Sequence, residues 1–165
     1  MSMSNIINKS LTQADVFLDD GELLQGNIYL SQEETVDDVI NNGNQFLILK
    51  VDGATRMINK NVVSKVSVSG NQINAQNIHL VPHEKVQLSL RNGNLSEGVV
   101  LLKGFSRVSS EINSGASFTA FFSDEKGVVY FRTDTIAQVF LENKQSAGKD
   151  TSDIIASRQE FRALI

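Results

Sequence analysis

Two stretches of the chain share one pattern of apolar and polar positions. In VFLDDGELLQGNIYL (16–30) and LSLRNGNLSEGVVLL (88–102), apolar residues alternate toward a turn glycine, and the next alternating segment contains a second glycine. A period of two is typical of a half-buried antiparallel hairpin. Asp20 and Gly21 form a tight-turn dipeptide, and the isolated Gly26 inside the second strand predicts a bulge or a sharp bend. Each stretch therefore predicts two strands of a small closed barrel.

The similarity extends well beyond these hairpins. At an offset of 72 residues, which becomes 73 after one extra residue near Lys126, apolar, glycine and asparagine positions coincide. The matched pairs include Gly26/Gly98, Val36/Val108, Asn41/Asn113, Gly43/Gly115, Phe46/Phe118, Ile58/Phe131 and Val66/Val139. Such extended self-similarity indicates a tandem repeat. We predict an N-terminal segment (1–13), module 1 (14–68), a linker (69–83), module 2 (84–141) and a tail (142–165).

Each module contains the same series of predicted elements. After the hairpin comes a stretch too rich in Asn, Gly and Ser to be a strand, followed by an apolar run at 46–52 or 118–124. That run predicts a strand buried on both faces, and two further short strands follow it. Five short strands with a bend glycine in the second are typical of an SH3-like barrel. We therefore expect a mainly β protein with two tandem five-stranded SH3-like barrels.

The linker and the tail differ from the modules. In the linker, Ile78, Leu80 and Val81 are expected to pack against a barrel. The tail begins with a polar linker and ends in SDIIASRQEFRALI (152–165), whose apolar residues are spaced roughly as on a helix after Ser152 as N-cap. We predict a short C-terminal amphipathic helix, which either folds back on its own barrel or docks into a neighbour.

The modules also resemble a known family. The pattern V-x-L-x-x-G-x-x-L-x-G-x-I-x-L at 16–30, followed by DDVIN at 37–41, resembles the first signature of Sm-like proteins. INKNVV (58–63) lies where their second signature is expected, and module 2 repeats the pattern with SSEIN (109–113) and FRTDTI (131–136). The resemblance covers both modules and implies two Sm-like barrels.

The same resemblance implies a ligand. Sm-like proteins commonly bind single-stranded RNA on ring assemblies, through loop residues ahead of the third strand and a basic residue after the fourth. By position, these residues are Asn41, Asn113 and Arg132. The chain departs from the family in its longer loop before Asn41 and in Lys60 and Thr133, which replace a glycine. The two asparagine side chains either hydrogen-bond the adjacent backbone or contact a ligand.

Charge places any nucleic-acid contact on module 2. The formal net charge of −4 argues against strong non-specific attraction to nucleic acid or anionic membranes. Module 1 holds nine acidic and four basic residues, whereas module 2 holds six of each. Arg107 and Arg132 are therefore candidate phosphate contacts, and Phe105 either stacks on a base or packs in the core. We expect RNA rather than DNA, and no membrane, among the partners.

Several classes of chemistry lack support in the sequence. The chain has no cysteine, so disulfides and thiolate metal sites are excluded. His79 and His83 are separated by Pro82 and have no third ligand nearby, which argues against zinc. No phosphate-cradling glycine loop, carboxylate pair or nucleophile with a base stands out. With no apolar run of signal-peptide or membrane-spanning length, we expect a cytoplasmic, non-enzymatic protein without cofactor or metal.

Three functions stay open. The preferred one is protein–protein assembly or a scaffold role, through strands with apolar residues on both faces at 46–49, 99–102 and 120–122. It predicts an intimate contact between the modules or a homo-oligomer. The second is single-stranded RNA binding through module 2. The third is binding of a small ligand or an enzymatic role.

Overall fold

The computed structural model describes residues 10–69 and 73–141. The first half contains β1 (Ser10–Leu18), β2 (Leu23–Leu30), α1 (Val36–Ile40), β3 (Phe46–Val51), β4 (Ala54–Asn59) and β5 (Val63–Val68). The second half contains β6 (His83–Leu90), β7 (Leu95–Leu101), α2 (Val108–Ile112), β8 (Phe118–Ser123), β9 (Gly127–Arg132) and β10 (Ile136–Leu141). Single 3-10 turns precede three strands, at Lys60–Val62, Ile78–Leu80 and Thr133–Thr135. The prediction of a mainly β protein is confirmed.

All of these strands join one open antiparallel sheet, in the order β10-β6-β7-β8-β9-β5-β1-β2-β3-β4. Within each half the fifth strand lies beside the first, and the second, third and fourth follow on the other side. The halves meet where β5 pairs with β9, and the opposed residues there are Lys65 and Phe131, Val66 and Tyr130, and Ser67 and Val129. Strands β4 and β10 are left at the two edges of the sheet.

Both predicted hairpins form, and a glycine is required in the second strand of each. A Cβ atom added to Gly26 would lie 2.5 Å from the carbonyl oxygen of Lys50. A Cβ atom on Gly98 would clash with the carbonyl oxygen of Phe122. The third strand of each half therefore approaches the second too closely for any side chain at these positions.

The polar stretches between the second and third strands each contain a short helix. Thr35 caps α1, since its Oγ1 accepts a hydrogen bond from the Asp38 backbone N–H at 3.1 Å. The Asp38 carboxylate in turn accepts from the Thr35 backbone N–H at 2.9 Å, which completes a capping box. These hydrogen bonds from Thr35 lower the pKa of Asp38. Arg107 caps α2 without a side-chain hydrogen bond.

Two clusters of buried apolar side chains form the core. The cluster of the first half also includes four residues of the second half, Phe118, Phe122, Val128 and Tyr130. The other cluster lies within the second half and contains Val86, Leu88, Val100, Val108, Phe121, Val129 and Phe131. Packing between the halves is therefore part of the core of the first half.

This packing explains why only one of two matching strands is buried on both faces. In β8, four of six residues are buried, whereas buried and exposed residues alternate along most of β3. The prediction of burial on both faces is confirmed for β8 and wrong for β3. The difference arises because Phe118 and Phe122 of β8 pack against the first half, whereas β3 lies next to the edge strand β4.

The connecting and terminal segments are described only in part. Ile78 packs against the first cluster as predicted, but Leu80 is exposed, so its predicted packing is wrong. Most of the predicted N-terminal segment (1–9) and the whole tail with its predicted helix (142–165) lie outside the described residues. No helix of the described residues is long and apolar enough to cross a membrane.

Candidate assembly interface

Asn41 connects the two halves of the sheet. It lies directly after α1, and its side-chain Oδ1 accepts a hydrogen bond from the backbone N–H of Phe118 at 2.9 Å. Its Nδ2 donates to the backbone carbonyl of Phe118 and to the Asp37 carboxylate, both at 3.2 Å. One carboxamide thereby satisfies both backbone polar groups at the start of β8. The sequence predicted that the Asn41 side chain either hydrogen-bonds the adjacent backbone or contacts a ligand. The side chain does hydrogen-bond backbone groups, but these belong to Phe118 in the other half and not to its own loop.

Arg132, at the end of β9, joins the same two halves from a second position. Its Nη1 donates to the Asp19 carboxylate at 2.9 Å and to the carbonyl oxygens of Asn61 and Val63 at 2.6 and 2.9 Å. Its Nε donates to Asp134 at 2.5 Å, and the side chain is only 16% exposed. Burial opposes the charge, but the hydrogen bonds to Asp134 and Asp19 outweigh it and raise the pKa of Arg132.

The β5–β9 pairing and the contacts of Asn41 and Arg132 together form the junction between the two halves. Further polar contacts surround this junction. Lys103 forms an ion pair with Asp37 at 3.3 Å, across the two halves. The Nζ atom of Lys65 lies 4.4 Å from the centre of the Phe17 ring, and burial together with the charge of Lys126 lowers the pKa of Lys65. Phe17 and Lys65 line a cavity of about 460 Å³, together with Arg91 of the second half. The junction thus combines a strand ladder, apolar packing and charged contacts.

The other two predicted site residues flank α2 and are exposed. Arg107 precedes this helix, and Asn113 follows it. Within the part of the chain that the structure describes, the Asn113 carboxamide makes no hydrogen bond. Phe105, in the loop before the helix, is fully exposed, so its predicted packing in the core is wrong. The four predicted residues therefore do not form one site: Asn41 and Arg132 lie at the junction, and Arg107 and Asn113 lie beside α2.

Lys60 is a buried lysine within the first half. Its Nζ donates to the carbonyl oxygen of Val39 and to Oδ1 of Asn42, both at 3.0 Å. Burial lowers the pKa of this amine. At the matching position of the second half, the Thr133 hydroxyl donates to the carbonyl oxygen of Ala116. Each of these side chains therefore hydrogen-bonds the loop that precedes the third strand of its own half.

Among the described residues no strand pairs with the outer side of β4, and this edge carries an exposed apolar surface. Ile48 and Met57 face each other in the β3–β4 ladder and share their side of the sheet with Phe46. We call these three residues the β4 edge patch. Met57 is 66% exposed and Phe46 is 41% exposed, whereas their matches Tyr130 and Phe118 are 5% and 2% exposed. The second half has the corresponding surface covered by the first half.

Comparison with protein-family models, with curated proteins and with solved structures gives no match for this chain. Among residues 10–69 and 73–141, no group of three or more His, Asp and Glu side chains is placed to hold a metal ion.

Sequence reasoning missed Asp19 and the backbone of Phe118 as functional groups of the junction. The repetition of asparagine at 41 and 113 was a usable signal of a structural role. Nothing in the spacing indicated that the partner lies 77 residues away.

Proposed function

We propose that this chain is a non-catalytic assembly module, which joins protein subunits through the free edges of its sheet. The observation that carries the proposal is the β4 edge patch, whose Phe46 and Met57 are exposed where their counterparts Phe118 and Tyr130 are buried. An edge strand presents unpaired backbone N–H and C=O groups, and an adjoining apolar surface adds a driving force for association. The junction between β5 and β9 is an example, within one chain, of how such an edge is used.

In this proposal each half is a five-stranded Sm-like barrel, as the sequence resemblance implies. The shared strand order of the two halves supports this interpretation. The close backbone approach at Gly26 and Gly98 also supports it, because a strongly bent second strand needs a residue without Cβ.

The solution mass tests the assembly function. We expect the mass from light scattering to rise above the 18.1 kDa of one chain as concentration increases. Met57→Lys places a charge on the free edge and should reduce this association, because edge lysines oppose strand pairing. Leu95→Lys is the matched control, since Leu95 is as exposed (60%) but lies on an interior strand. A wild-type chain that stays monomeric at every concentration would contradict the proposal.

Binding of single-stranded RNA by the second half is the second candidate. It is supported by the fully exposed Phe105 ring close in sequence to the exposed Arg107 side chain, a combination that suits base stacking and phosphate contact. A titration of labelled uridine-rich and adenine-rich RNA at low and physiological salt tests it. Saturable binding that weakens in Phe105→Ala and Arg107→Ala supports this candidate, and equal affinity of the variants argues against it.

A further inference from the structure

A cavity of about 590 Å³ opens into the second half of the sheet. Its lining comes from β6, β7, β8 and β9, together with Ile78. Neither Asn41 nor Arg132 lines it, so this cavity is separate from the junction between the halves. Its volume lies within the range of about 300–1,000 Å³ that is typical of sites for small molecules.

The matching positions of the two halves can be compared directly, because the hairpins pair in the same register. Leu24 faces Val16 across the first hairpin, and its match Ser96 faces Leu88 across the second. A residue in one half therefore has a defined counterpart in the same place in the other half.

Two buried apolar residues of the first half are replaced by serines at this cavity. Leu24 and Val51 are only 8% and 7% exposed, and both belong to the core of the first half. Their counterparts in the second half, Ser96 and Ser123, both line the cavity. Serine is shorter than leucine or valine and carries a hydroxyl group. The second half therefore has space and hydrogen-bonding groups where the first half has apolar core.

The apolar wall of the cavity is aromatic. Phe121 and Phe131, which line it, stand in the places of Leu49 and Ile58. The two rings meet edge to face, with centroids 5.6 Å apart. A Cβ atom added to Gly98 would lie 2.6 Å from the Phe121 ring, so this ring packs directly against the backbone. The wall is therefore fixed in place and offers ring edges and faces to another aromatic ring.

The serine hydroxyls can bind a polar group inside the cavity. The Ser123 Oγ accepts a hydrogen bond from the Lys126 backbone N–H at 3.1 Å. Among residues 10–69 and 73–141, the Ser123 hydroxyl donates to no acceptor and the Ser96 hydroxyl makes no hydrogen bond. Each hydroxyl therefore has a proton to donate to a ligand oxygen.

The charges around the cavity favour a ligand without net charge. Two lysines and three carboxylates contribute to the lining: Lys85, Lys126, Glu97, Asp124 and Glu125. Because both signs are present in nearly equal number, neither an anion nor a cation gains a strong electrostatic advantage.

We propose that the second half binds a small uncharged aromatic molecule in this cavity. Its ring packs against Phe121 and Phe131, and a hydroxyl or carbonyl group of the molecule hydrogen-bonds to Ser96 and Ser123. This site is independent of the proposed assembly function, since no residue of the β4 edge patch lines the cavity.

Titration with N-phenyl-1-naphthylamine tests the site. This probe is uncharged and aromatic, and its fluorescence increases in an apolar environment. The chain contains no tryptophan, so the background emission of the protein is low. We expect saturable binding of the probe to the full-length wild-type chain. Absence of saturable binding would overturn the proposal.

A variant that restores the residues of the first half fills the cavity. The double substitution Ser96→Leu and Ser123→Val should weaken probe binding by at least about tenfold, since the ring no longer fits. Its urea unfolding midpoint should equal or exceed that of the wild type, because more apolar surface is buried. Ser110→Leu is the matched control. It adds the same side chain at an exposed position of α2, outside the cavity, and should bind the probe as the wild type does.

A second variant tests the hydroxyl groups and keeps the cavity open. Phenol and toluene, each used to displace the probe, differ in one hydroxyl group. The wild type should bind phenol several-fold more tightly than toluene, and the double substitution Ser96→Ala and Ser123→Ala should abolish this preference while probe binding persists.

The outcomes decide the proposal even where one variant does not fold. A folded Ser96→Leu and Ser123→Val chain that binds the probe as tightly as the wild type places the probe elsewhere and overturns the site. If that chain does not fold, the alanine variant decides. An unchanged preference for phenol over toluene in the alanine variant overturns the proposal, and loss of the preference supports it.

Discussion

The Asn41 side chain hydrogen-bonds both the N–H and the C=O of Phe118, a residue 77 positions further along the chain. The two hydrogen bonds fix the start of β8 against the end of α1, which belongs to the other half. Because a carboxamide carries a donor NH2 group and an acceptor oxygen at fixed separation, no carboxylate or hydroxyl of similar size makes the same pair of bonds.

Asn41→Asp should lower the free energy of unfolding by about 1–3 kcal/mol. The aspartate has no donor for the Phe118 carbonyl, and it adds a negative charge beside Asp37. Urea titration at neutral pH measures the change. Asn44→Asp serves as control, because Asn44 is exposed and should shift stability by less than about 0.5 kcal/mol. Equal losses in the two variants would contradict the clamp.

Arg132→Met should destabilise the fold by about 1–3 kcal/mol, since the carbonyl oxygens of Asn61 and Val63 and the Asp19 carboxylate lose a shared donor. Arg107→Met removes an equal charge from an exposed position and should leave the urea midpoint almost unchanged. If both variants unfold at one urea concentration, the Arg132 guanidinium does not hold the halves together.

Gly26→Ala should cost about 1–3 kcal/mol, because the new methyl group meets the Lys50 carbonyl oxygen and the β2–β3 pairing must shift. Gly98→Ala should lower the stability by a similar amount, because its methyl group meets the carbonyl oxygen of Phe122. The comparison variant is Gly53→Asn, at a turn position with φ of 79° and open space around it, where asparagine is tolerated. Thermal unfolding followed by circular dichroism ranks the three, and the turn variant should be the mildest.

Lys60 gives a prediction for alkaline pH. Its pKa in the folded chain lies below the ordinary 10.5, so near that pH the unfolded chain binds more protons at this position than the folded one. The penalty for burying the charged amine is therefore present at neutral pH and is relieved as pH rises toward 10.5. We expect the stability of the wild type relative to Lys60→Met to increase over this interval. A constant difference from pH 7 to 10.5 would contradict an ionised buried amine.

The hairpins were predictable because their information is local. Alternation of apolar residues places β1 and β2, and the glycine at position 26 reports the approach of the neighbouring strand. The helix α1 carried a usable local signal as well, since Thr35 and Asp38 have the spacing of a capping box.

The junction was not predictable in the same way. Strands β3 and β8 have similar apolar runs, and only the contact with the other half makes one of them buried on both faces. Arg132 was singled out by its position after a strand, but its acceptors come from segments distant in sequence, including Asp19 and Asn61. The spacing of apolar and polar residues does not indicate which distant carbonyl or carboxylate group a side chain will contact.

The sharing of Phe118, Phe122, Val128 and Tyr130 with the core of the first half has a consequence for how the protein is divided. The stretch whose residue pattern recurs in the sequence is smaller than the buried core to which it contributes. A fragment ending near residue 69 would lack four of its buried apolar side chains, including three aromatic rings, and would expose the surface they cover. We therefore expect the two halves to unfold together, in one cooperative transition.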